Sequence, residues 1–268
     1  MMLRRFVPIV ALGFFGLGCA GLDSESWLIS EKQEKELGAE FHAQLLAEEM
    51  PELSGHKEVK DYVRKIGNSI VPHTHRKDLG YTFTVVDTDE INAFAVLGGY
   101  VYVTKGLLKA ATSGAEIAGV IGHELAHINA RHGVKRLESY MVISGLTSLL
   151  GDFKYKDIVS GALGTTETLV FSKDQENEAD DIGADYTLAA GYNAWGLVDF
   201  FEFLHTLEPS DGGLEFLSQI GELFSTHPPT VDRISKISTK LTGEGIARDS
   251  SAYTWDEAEF NAIKAMLP

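Results

Sequence analysis

Residues 113–130 read SGAEIAGVIGHELAHINA, and this stretch determines the fold that we expect. Small and apolar residues surround a polar centre, HELAH, at positions 123–127. An α-helix has about 3.6 residues per turn, so His123 and His127 share one face and Glu124 lies about 100° further round. The sequence therefore predicts a buried helix that carries two imidazoles and one carboxylate.

Polar side chains on such a helix require partners, because burying them unpaired is energetically costly. Two histidines four residues apart with a glutamate between them are typical of a zinc site. In that site the histidines bind the metal and the glutamate acts on a water molecule. The five-residue pattern also arises by chance, so the zinc interpretation depends on a further ligand elsewhere in the chain.

A catalytic zinc site has three protein ligands and one open position, and the residues close to this motif do not supply the third. On a continuous helix His132 would lie about 180° from His123 and point away from the metal. The extended metzincin pattern requires a glycine at position 130 and a histidine at position 133, where this chain has Ala130 and Gly133. The third ligand is therefore expected on a distant element.

Residues 171–180, FSKDQENEAD, are the best source of that ligand. In a helix Glu176 and Asp180 would share one face. Glu176 is the candidate third ligand, and Asp180 could accept a hydrogen bond from the second nitrogen of a histidine ligand. Glu178 is about 200° from Glu176 and is expected to be solvated. An ordinary exposed helix start, which often carries acidic residues, is the alternative interpretation.

Four segments in a fixed order resemble the HtpX and CaaX-prenyl-protease-type family of zinc metallopeptidases, which are gluzincins. Together they are more specific than the zinc motif alone. They are NAFAVLGGYVYVTKGLL at 92–108, HELAH at 123–127, the run from Glu176 to Asp180, and His227-Pro228-Pro229 with Arg233. Lys173 departs from the arginine that is common at this position in the family.

The resemblance implies one zinc ion per chain, bound by His123, His127 and Glu176. It also implies that Glu124 is the general base and that Asp180 supports a histidine ligand. Zinc lowers the pKa of its bound water toward about 7, so Glu124 could take a proton as the water attacks a carbonyl and deliver it to the leaving amine. The expected reaction is hydrolysis of peptide bonds.

The His-Pro-Pro segment has two interpretations. In similar proteins its histidine lies near the metal, where His227 could stabilise the oxyanion or occupy the open coordination site. Alternatively, His227 is a turn residue before Pro228 and Pro229, which would mark a helix start. Arg233 is either a surface residue of that helix or a substrate-binding group at the floor of the cleft.

The alternating stretches 81–86 and 91–104 predict a small sheet, with a Gly-Gly pair as a hairpin signal. An edge strand of this sheet could pair with an extended peptide, using the substrate-binding residues Asn92, Ala93 and Phe94. Backbone pairing of this kind favours unfolded or extended polypeptides as substrates.

Helical periodicity predicts further helices over residues 30–50, 59–70, 194–207, 230–241 and 255–266. With the small sheet, this indicates an α+β fold that is mainly α. We expect a single zincin-like domain over residues 31–268, with the sheet beside the active-site helix.

Two other segments leave alternatives open. Residues 141–150 and 158–163 are apolar but interrupted by glycines, and neither part is long enough for a membrane span, so they are either a movable cover over the cleft or part of the core. His73 and His75 could form a second metal site, although loop histidines without further ligands are usually surface residues.

Residues 1–18 are predicted to be an export signal, because Arg4 and Arg5 precede a short apolar stretch. Cys19 follows directly and is the predicted lipidation site, so residues 19–30 would form a lipidated N-terminus and linker. The alternatives are cleavage by ordinary signal peptidase or a buried cysteine in an uncleaved anchor. The predicted location is the periplasm of a bacterial cell envelope, with lipid anchoring to the outer membrane.

The composition is acidic. The 268 residues include 23 Lys and Arg against 39 Asp and Glu, a net charge of -16 that becomes more negative if Arg4 and Arg5 leave with the signal. This charge argues against binding to nucleic acid or to an anionic surface. Cys19 is the one cysteine, so the domain depends on a hydrophobic core, not on disulfides.

The sequence thus predicts an exported zinc endopeptidase that cleaves unfolded or misassembled envelope proteins. The resemblance implies a role in quality control, with outer-membrane proteins and their assembly machinery as expected partners. The alternative is a latent peptide-binding assembly factor in which His227 closes the zinc site. Processing of CaaX proteins is less favoured, because the related prenyl proteases carry several membrane-spanning helices.

Overall fold

The computed structural model describes residues 28–48, 50–143, 145, 171–207, 227–228 and 230–268. Helices make up most of this part of the chain, as the sequence predicted. They are α1 (Glu31–Glu48), α2 (Lys57–Ile70), α3 (Lys105–Ala110), α4 (Gly114–Asn129), α5 (His132–Ile143), α6 (Lys173–Ala189), α7 (Trp195–Thr206), α8 (Val231–Gly243) and α9 (Glu257–Lys264).

The described strands form one small mixed sheet: β1 (Thr82–Val86), β2 (Ala93–Val96) and β3 (Tyr100–Thr104), in the order β1-β3-β2. Strand β3 pairs in parallel with β1 and antiparallel with β2. The predicted Gly-Gly hairpin is present, and both glycines have the positive φ that favours glycine, 76° at Gly98 and 98° at Gly99. Strand β2 lies at an edge of the sheet and packs against α4.

Helix α4 is the centre of the hydrophobic core. Every residue from Gly114 to Ile128 is buried. Ser113 caps the helix, since its side chain accepts a hydrogen bond from the backbone of Glu116. Helices α6 and α7 pack on α4, and the sheet and α2 cover other sides of it. The polar HELAH residues are therefore held inside the protein, as expected.

A close approach between α4 and α6 depends on glycine. A Cβ atom added at Gly183 would lie 2.8 Å from both the nitrogen and the Cα of His123, and one added at Gly122 would lie 2.8 Å from the Gly183 carbonyl oxygen. These contacts leave no room for a larger residue. The two helix backbones can therefore come close enough for α6 side chains to reach His123.

Helix α1 is fastened to the end of α4 by a buried carboxylate. Glu34 is 1% exposed, and Arg76 donates to both of its oxygens at 2.9 Å. Arg131 donates to the same carboxylate at 3.0 Å and to the Ile29 carbonyl at 2.7 Å. Two cations on one buried anion give well-matched, charge-assisted hydrogen bonds. The sequence predicted the helix but not its buried carboxylate.

Helix α4 ends earlier than a continuous helix through His132 would require. Asn129 is its last residue, Arg131 adopts a left-handed conformation with φ of 56°, and α5 begins at His132. The premise of a continuous helix through His132 is therefore wrong, although His132 is not among the potential metal ligands that the described residues bring together, as expected.

Several predictions fall outside the described residues. They include the export signal, the lipidation site at Cys19 and most of the glycine-interrupted segment 141–163. None of the helices in the described ranges combines the length and the apolar character that crossing a bilayer needs. His73 and His75 join no group of potential metal ligands among the described residues, and His75 instead bonds to the Tyr186 hydroxyl.

Candidate metal centre

Four buried side chains meet beside α4: His123, His127, Glu176 and His227. Each offers one nitrogen or carboxylate oxygen, and these atoms all lie within 4.8 Å of one another. Helix α4 supplies the first two histidines, α6 supplies the glutamate, and His227 stands shortly before α8. The structure thus brings together residues that are about 100 positions apart in the chain.

Local structure places Glu176 at the start of α6. Ser172 and Gln175 form a capping box, in which the Ser172 side chain accepts from the Gln175 backbone and the Gln175 side chain accepts from the Ser172 backbone. The box fixes where the first turn begins. Glu176 follows directly and is 2% exposed, so it faces α4 and not the solvent.

The spacing of these atoms suits a tetrahedral ion. Nε2 of His123 lies 3.0 Å from Nε2 of His127 and 3.3 Å from Nδ1 of His227. Oε1 of Glu176 lies 2.9 Å from Nδ1 of His227 and 3.5 Å from Nε2 of His127. Four ligand atoms at zinc-bonding distance from a common centre would be about 3.3 Å apart, so the observed separations match.

The second oxygen of Glu176 and the chemistry of the four ligand atoms support the same conclusion. Oε2 of Glu176 is buried and makes no hydrogen bond to a described residue, although it forms an ion pair with Arg233 at 2.8 Å. Imidazole nitrogens and a carboxylate oxygen are the ligands that zinc prefers in sites of this kind. The residues present therefore fit a metal ion of that class.

The charges of the group also favour a cation. Burial opposes ionisation of Glu176, but the nearby His227 and His123 hold the pKa of this carboxyl well below its usual value. Burial lowers the pKa of His123, yet contacts with Asp180 and Glu176 raise it to about 9. Burial and the neighbouring histidines keep the pKa of His127 well below its usual value. A metal would have to displace the proton of His123.

Glu124 lies beside the group without belonging to it. It is 2% exposed, and its Oε1 is 3.8 Å from Nε2 of His227. Burial raises the pKa of this carboxyl, while His227 and a hydrogen bond from the backbone of Ala95 in β2 oppose that shift. Glu124 therefore lies where the motif predicts it, beside the potential metal ligands and not among them.

Asp180 and Arg233 lie beneath the histidines. Oδ1 of Asp180 is 2.9 Å from Nδ1 of His123. Arg233 donates to both Asp180 oxygens at 2.7 Å, and its guanidinium stacks over Phe201 with 4.5 Å to the ring centre. Arg233 is only 2% exposed. Its predicted position on the surface is therefore wrong, whereas its role as a substrate-binding group at the floor of the cleft stays a prediction.

The predicted substrate-binding residues lie in and just before β2. Asn92 and Ala93 are buried, and Phe94 is half-buried and stacked on Tyr102 with ring centres 4.7 Å apart. Asn92 Oδ1 has no hydrogen-bond partner among the described residues. These residues lie next to α4, so the structure brings the edge strand to the site.

Sequence reasoning missed two contacts of His132. Nδ1 of His132 lies 2.9 Å from Nδ1 of His127, and Nε2 of His132 lies 3.2 Å from Oε2 of Glu178. Glu178 is 43% exposed, so its predicted solvation is only part of its environment. No glycine or proline at positions 130 and 131 signals the break in the helix that brings these residues together.

Known proteins match this chain over its central part. The model of peptidase family M48 matches residues 57–241. Metalloprotease YcaL of Escherichia coli is 32% identical over 169 residues, which are 59% of this chain and 61% of YcaL. A beta-barrel assembly-enhancing protease of Yersinia pestis is 27% identical over 65% of this chain and 37% of its own length. The chain thus spans less than two thirds of either relative.

A third relative matches over nearly the whole chain. Metalloprotease LoiP of Escherichia coli is 24% identical over 267 residues, 92% of this chain and 100% of LoiP. The family match contains α4, α6 and most of α8, and so it includes the elements that carry or flank the four buried ligands. Since it also extends over more than half of the 268 residues, the chain belongs to peptidase family M48.

Proposed function

We propose that this protein is a zinc-dependent endopeptidase that hydrolyses peptide bonds of unfolded or misassembled proteins of the bacterial envelope. The observation that carries the proposal is the buried group of His123, His127, Glu176 and His227 with Glu124 beside it. We assign one zinc ion per chain to this group. His123, His127 and Glu176 are its proposed protein ligands, and His227 is the residue at the fourth position.

The proposed chemistry requires a base at Glu124. When bound, zinc polarises a carbonyl and lowers the pKa of water toward about 7. Glu124 accepts a proton from the attacking water at its carboxylate and then donates it to the nitrogen of the leaving amine. Burial raises the pKa of this carboxyl, which brings its basicity closer to that of the groups with which it exchanges the proton.

The proposed substrate is an extended polypeptide paired with β2. This strand is at an edge of the sheet and adjoins α4, so a chain added there would lie along the metal centre. Asn92, Ala93 and Phe94 would provide the contacts, mainly through their backbone. Backbone pairing reads an extended conformation more than a side-chain sequence, which favours unfolded substrates.

The proposed clients are outer-membrane proteins, and the proposed location is the periplasm. Support comes from the name of one relative, beta-barrel assembly-enhancing protease, and from the predicted export signal with Cys19 as a lipid attachment site. Membrane contact would then come from the lipid, and assembly machinery of the outer membrane is a candidate partner.

Cleavage of an unstructured protein such as casein tests the proposal. Zinc-loaded protein should cleave casein, and Glu124→Gln should retain zinc but lose nearly all activity, because the amide cannot accept the proton. Zinc content is measured on both samples. Equal cleavage by the two proteins would contradict the role of Glu124, and no cleavage by either would contradict the peptidase assignment.

A second candidate function rests on His227. Its Nδ1 lies within the ligand group, 3.3 Å from Nε2 of His123 and 2.9 Å from Oε1 of Glu176. A fourth protein ligand would close the site, as in a latent factor that binds unfolded outer-membrane proteins without cutting them. His227→Ala distinguishes the two functions: it should increase casein cleavage if His227 keeps the site closed, and decrease it if His227 assists the reaction.

A further inference from the structure

His132 contacts the ring of His127 at the nitrogen that faces away from the ligand group. The two Nδ1 atoms are 2.9 Å apart, and the ring planes are inclined by 70°. Nε2 of His127 is the nitrogen near the other ligands, 3.0 Å from Nε2 of His123. His132 is fully buried, with 0% exposure. The His132 imidazole therefore contacts His127 on the side of the ring opposite the other potential ligands.

This contact is possible with only one arrangement of protons if His127 binds a metal. A neutral imidazole has one nitrogen that donates and one that accepts. A metal on Nε2 of His127 leaves the proton on Nδ1, so this N–H must donate to Nδ1 of His132. His132 must then carry its own proton on Nε2.

Glu178 selects that arrangement. Its Oε2 lies 3.2 Å from Nε2 of His132, and an ionised carboxylate can only accept a hydrogen bond. It therefore favours the His132 tautomer with the proton on Nε2, whose free Nδ1 accepts from His127. Helix α6 thus reaches both sides of His127, since Glu176 faces the metal centre and Glu178 contacts His132 on the outer side.

We infer that Glu178 and His132 are positioning residues that hold His127 in the tautomer and orientation needed for metal binding. The relay runs from a carboxylate that is 43% exposed, through a buried imidazole, to the metal-facing histidine. Asp180 has the corresponding place at His123, with Oδ1 2.9 Å from Nδ1. The inference rests on the proposed metal centre and not on peptide hydrolysis.

The first test is nitrogen-15 NMR of the histidine rings in the full metal-free chain. Two-bond couplings between ring protons and nitrogens identify the nitrogen that carries the proton. We expect the proton on Nδ1 of His127 and on Nε2 of His132, with a mixture of His127 tautomers in His132→Leu. A proton on Nε2 of His127 in the unmodified chain, or the same His127 tautomer after His132→Leu, would overturn the inference.

The second test is zinc affinity, measured by competition with a chelator. Loss of an outer hydrogen-bond partner typically weakens metal binding about 10- to 100-fold, and we expect this for His132→Leu and Glu178→Ala. His132→Asn should restore most of the affinity, because its amide oxygen can accept the hydrogen bond from His127. Glu178→Gln should restore part of it, because its amide oxygen can accept from His132 but its amide nitrogen can also donate. Unchanged affinity in both Leu and Ala variants would overturn the relay.

The control is Asp181→Ala, which removes an acidic side chain from the same helix at a position 62% exposed and outside the relay. It should bind zinc as the unmodified chain does, and a loss equal to that of Glu178→Ala would assign the effect to charge alone and overturn the inference. Glu178 variants also decide the question if His132→Leu fails to fold. Zinc binding with the expected tautomers but without casein cleavage supports the relay and contradicts only the peptidase proposal.

Discussion

Arg233 is the buried cation that holds two acidic side chains next to the histidines. It donates to both oxygens of Asp180 at 2.7 Å and pairs with Oε2 of Glu176 at 2.8 Å. Burial would raise the pKa of Asp180, but the hydrogen bonds and charge of Arg233 keep it below its usual value. A planar guanidinium can bind one carboxylate through two N–H groups and reach a second one with a third, a fixed geometry that the compact ammonium group of lysine does not offer.

Replacement of Arg233 should therefore destabilise the chain strongly. Arg233→Leu leaves Asp180 and Glu176 buried beside each other without their guanidinium partner, and we expect a loss of about 3–5 kcal/mol in the free energy of unfolding. Arg233→Lys should lose less, since it keeps the charge. Urea unfolding of the metal-free chain measures both.

An exposed arginine provides the comparison for this prediction. Arg248 is 43% exposed and pairs with Asp199 and Glu202, so Arg248→Leu should cost no more than about 1 kcal/mol through these ion pairs. Equal losses in the free energy of unfolding for the Arg233 and Arg248 variants would show that burial of the ion pair between Arg233 and Asp180 adds nothing to stability.

At the scale of elements, the packing of α6 on α4 determines whether the ligands meet. Glu176 and Asp180 reach His123 because Gly183 lets the helix backbones approach. At Gly183, helix propensity and packing have opposite effects on the stability of a variant with a larger residue. Alanine is favoured over glycine in a helix by about 1 kcal/mol, but its Cβ would lie 2.8 Å from the backbone of His123.

Gly183→Ala should lower the free energy of unfolding by about 1–2 kcal/mol, because overpacking against a backbone costs more than the helix propensity gains. It should also weaken zinc binding, since α6 is moved outward. Gly133→Ala is the matched control: its Cβ would meet only Leu97 Cδ2, at 3.4 Å. Denaturation midpoints and chelator competition report both effects, and a Gly183→Ala chain as stable as Gly133→Ala would contradict this account.

The sequence predicted elements better than it predicted their ends and their contacts. The α4 helix, the Gly-Gly hairpin and the face shared by Glu176 and Asp180 follow from local periodicity. The break after Asn129 does not, because Arg131 takes its left-handed conformation while bonded to Glu34 and Ile29, which are 97 and 102 residues away. A local sequence pattern cannot predict contacts with residues so far away in the chain.

At the scale of the whole molecule, the ligand group joins three parts of the chain that are distant in sequence: α4, α6 and the segment before α8. A ligand that binds the folded chain and not the unfolded one stabilises the fold by mass action. The proposed metal would therefore hold these three segments together as well as take part in catalysis. Its removal should be visible in stability without any measurement of cleavage.

Chelation of zinc should lower the melting temperature. At a free zinc concentration about 100 times the Kd, binding stabilises by about 2.7 kcal/mol, which corresponds to about 5–10 °C for a domain of this size. Differential scanning calorimetry with and without EDTA measures the shift. Glu176→Gln is the control, because a chain with a weakened site should melt at nearly the same temperature in both buffers. A shift of equal size in that variant would mean that EDTA acts elsewhere.

The buried carboxylate of Glu34 has a consequence for how this protein can change over evolution. Arg76 and Arg131 share that buried carboxylate, and each comes from a different part of the chain. Replacing Glu34 alone would leave two guanidinium groups facing each other, whereas replacing either arginine leaves the other still paired. We therefore expect lineages to lose an arginine before the glutamate, and to exchange the glutamate only after both arginines have gone.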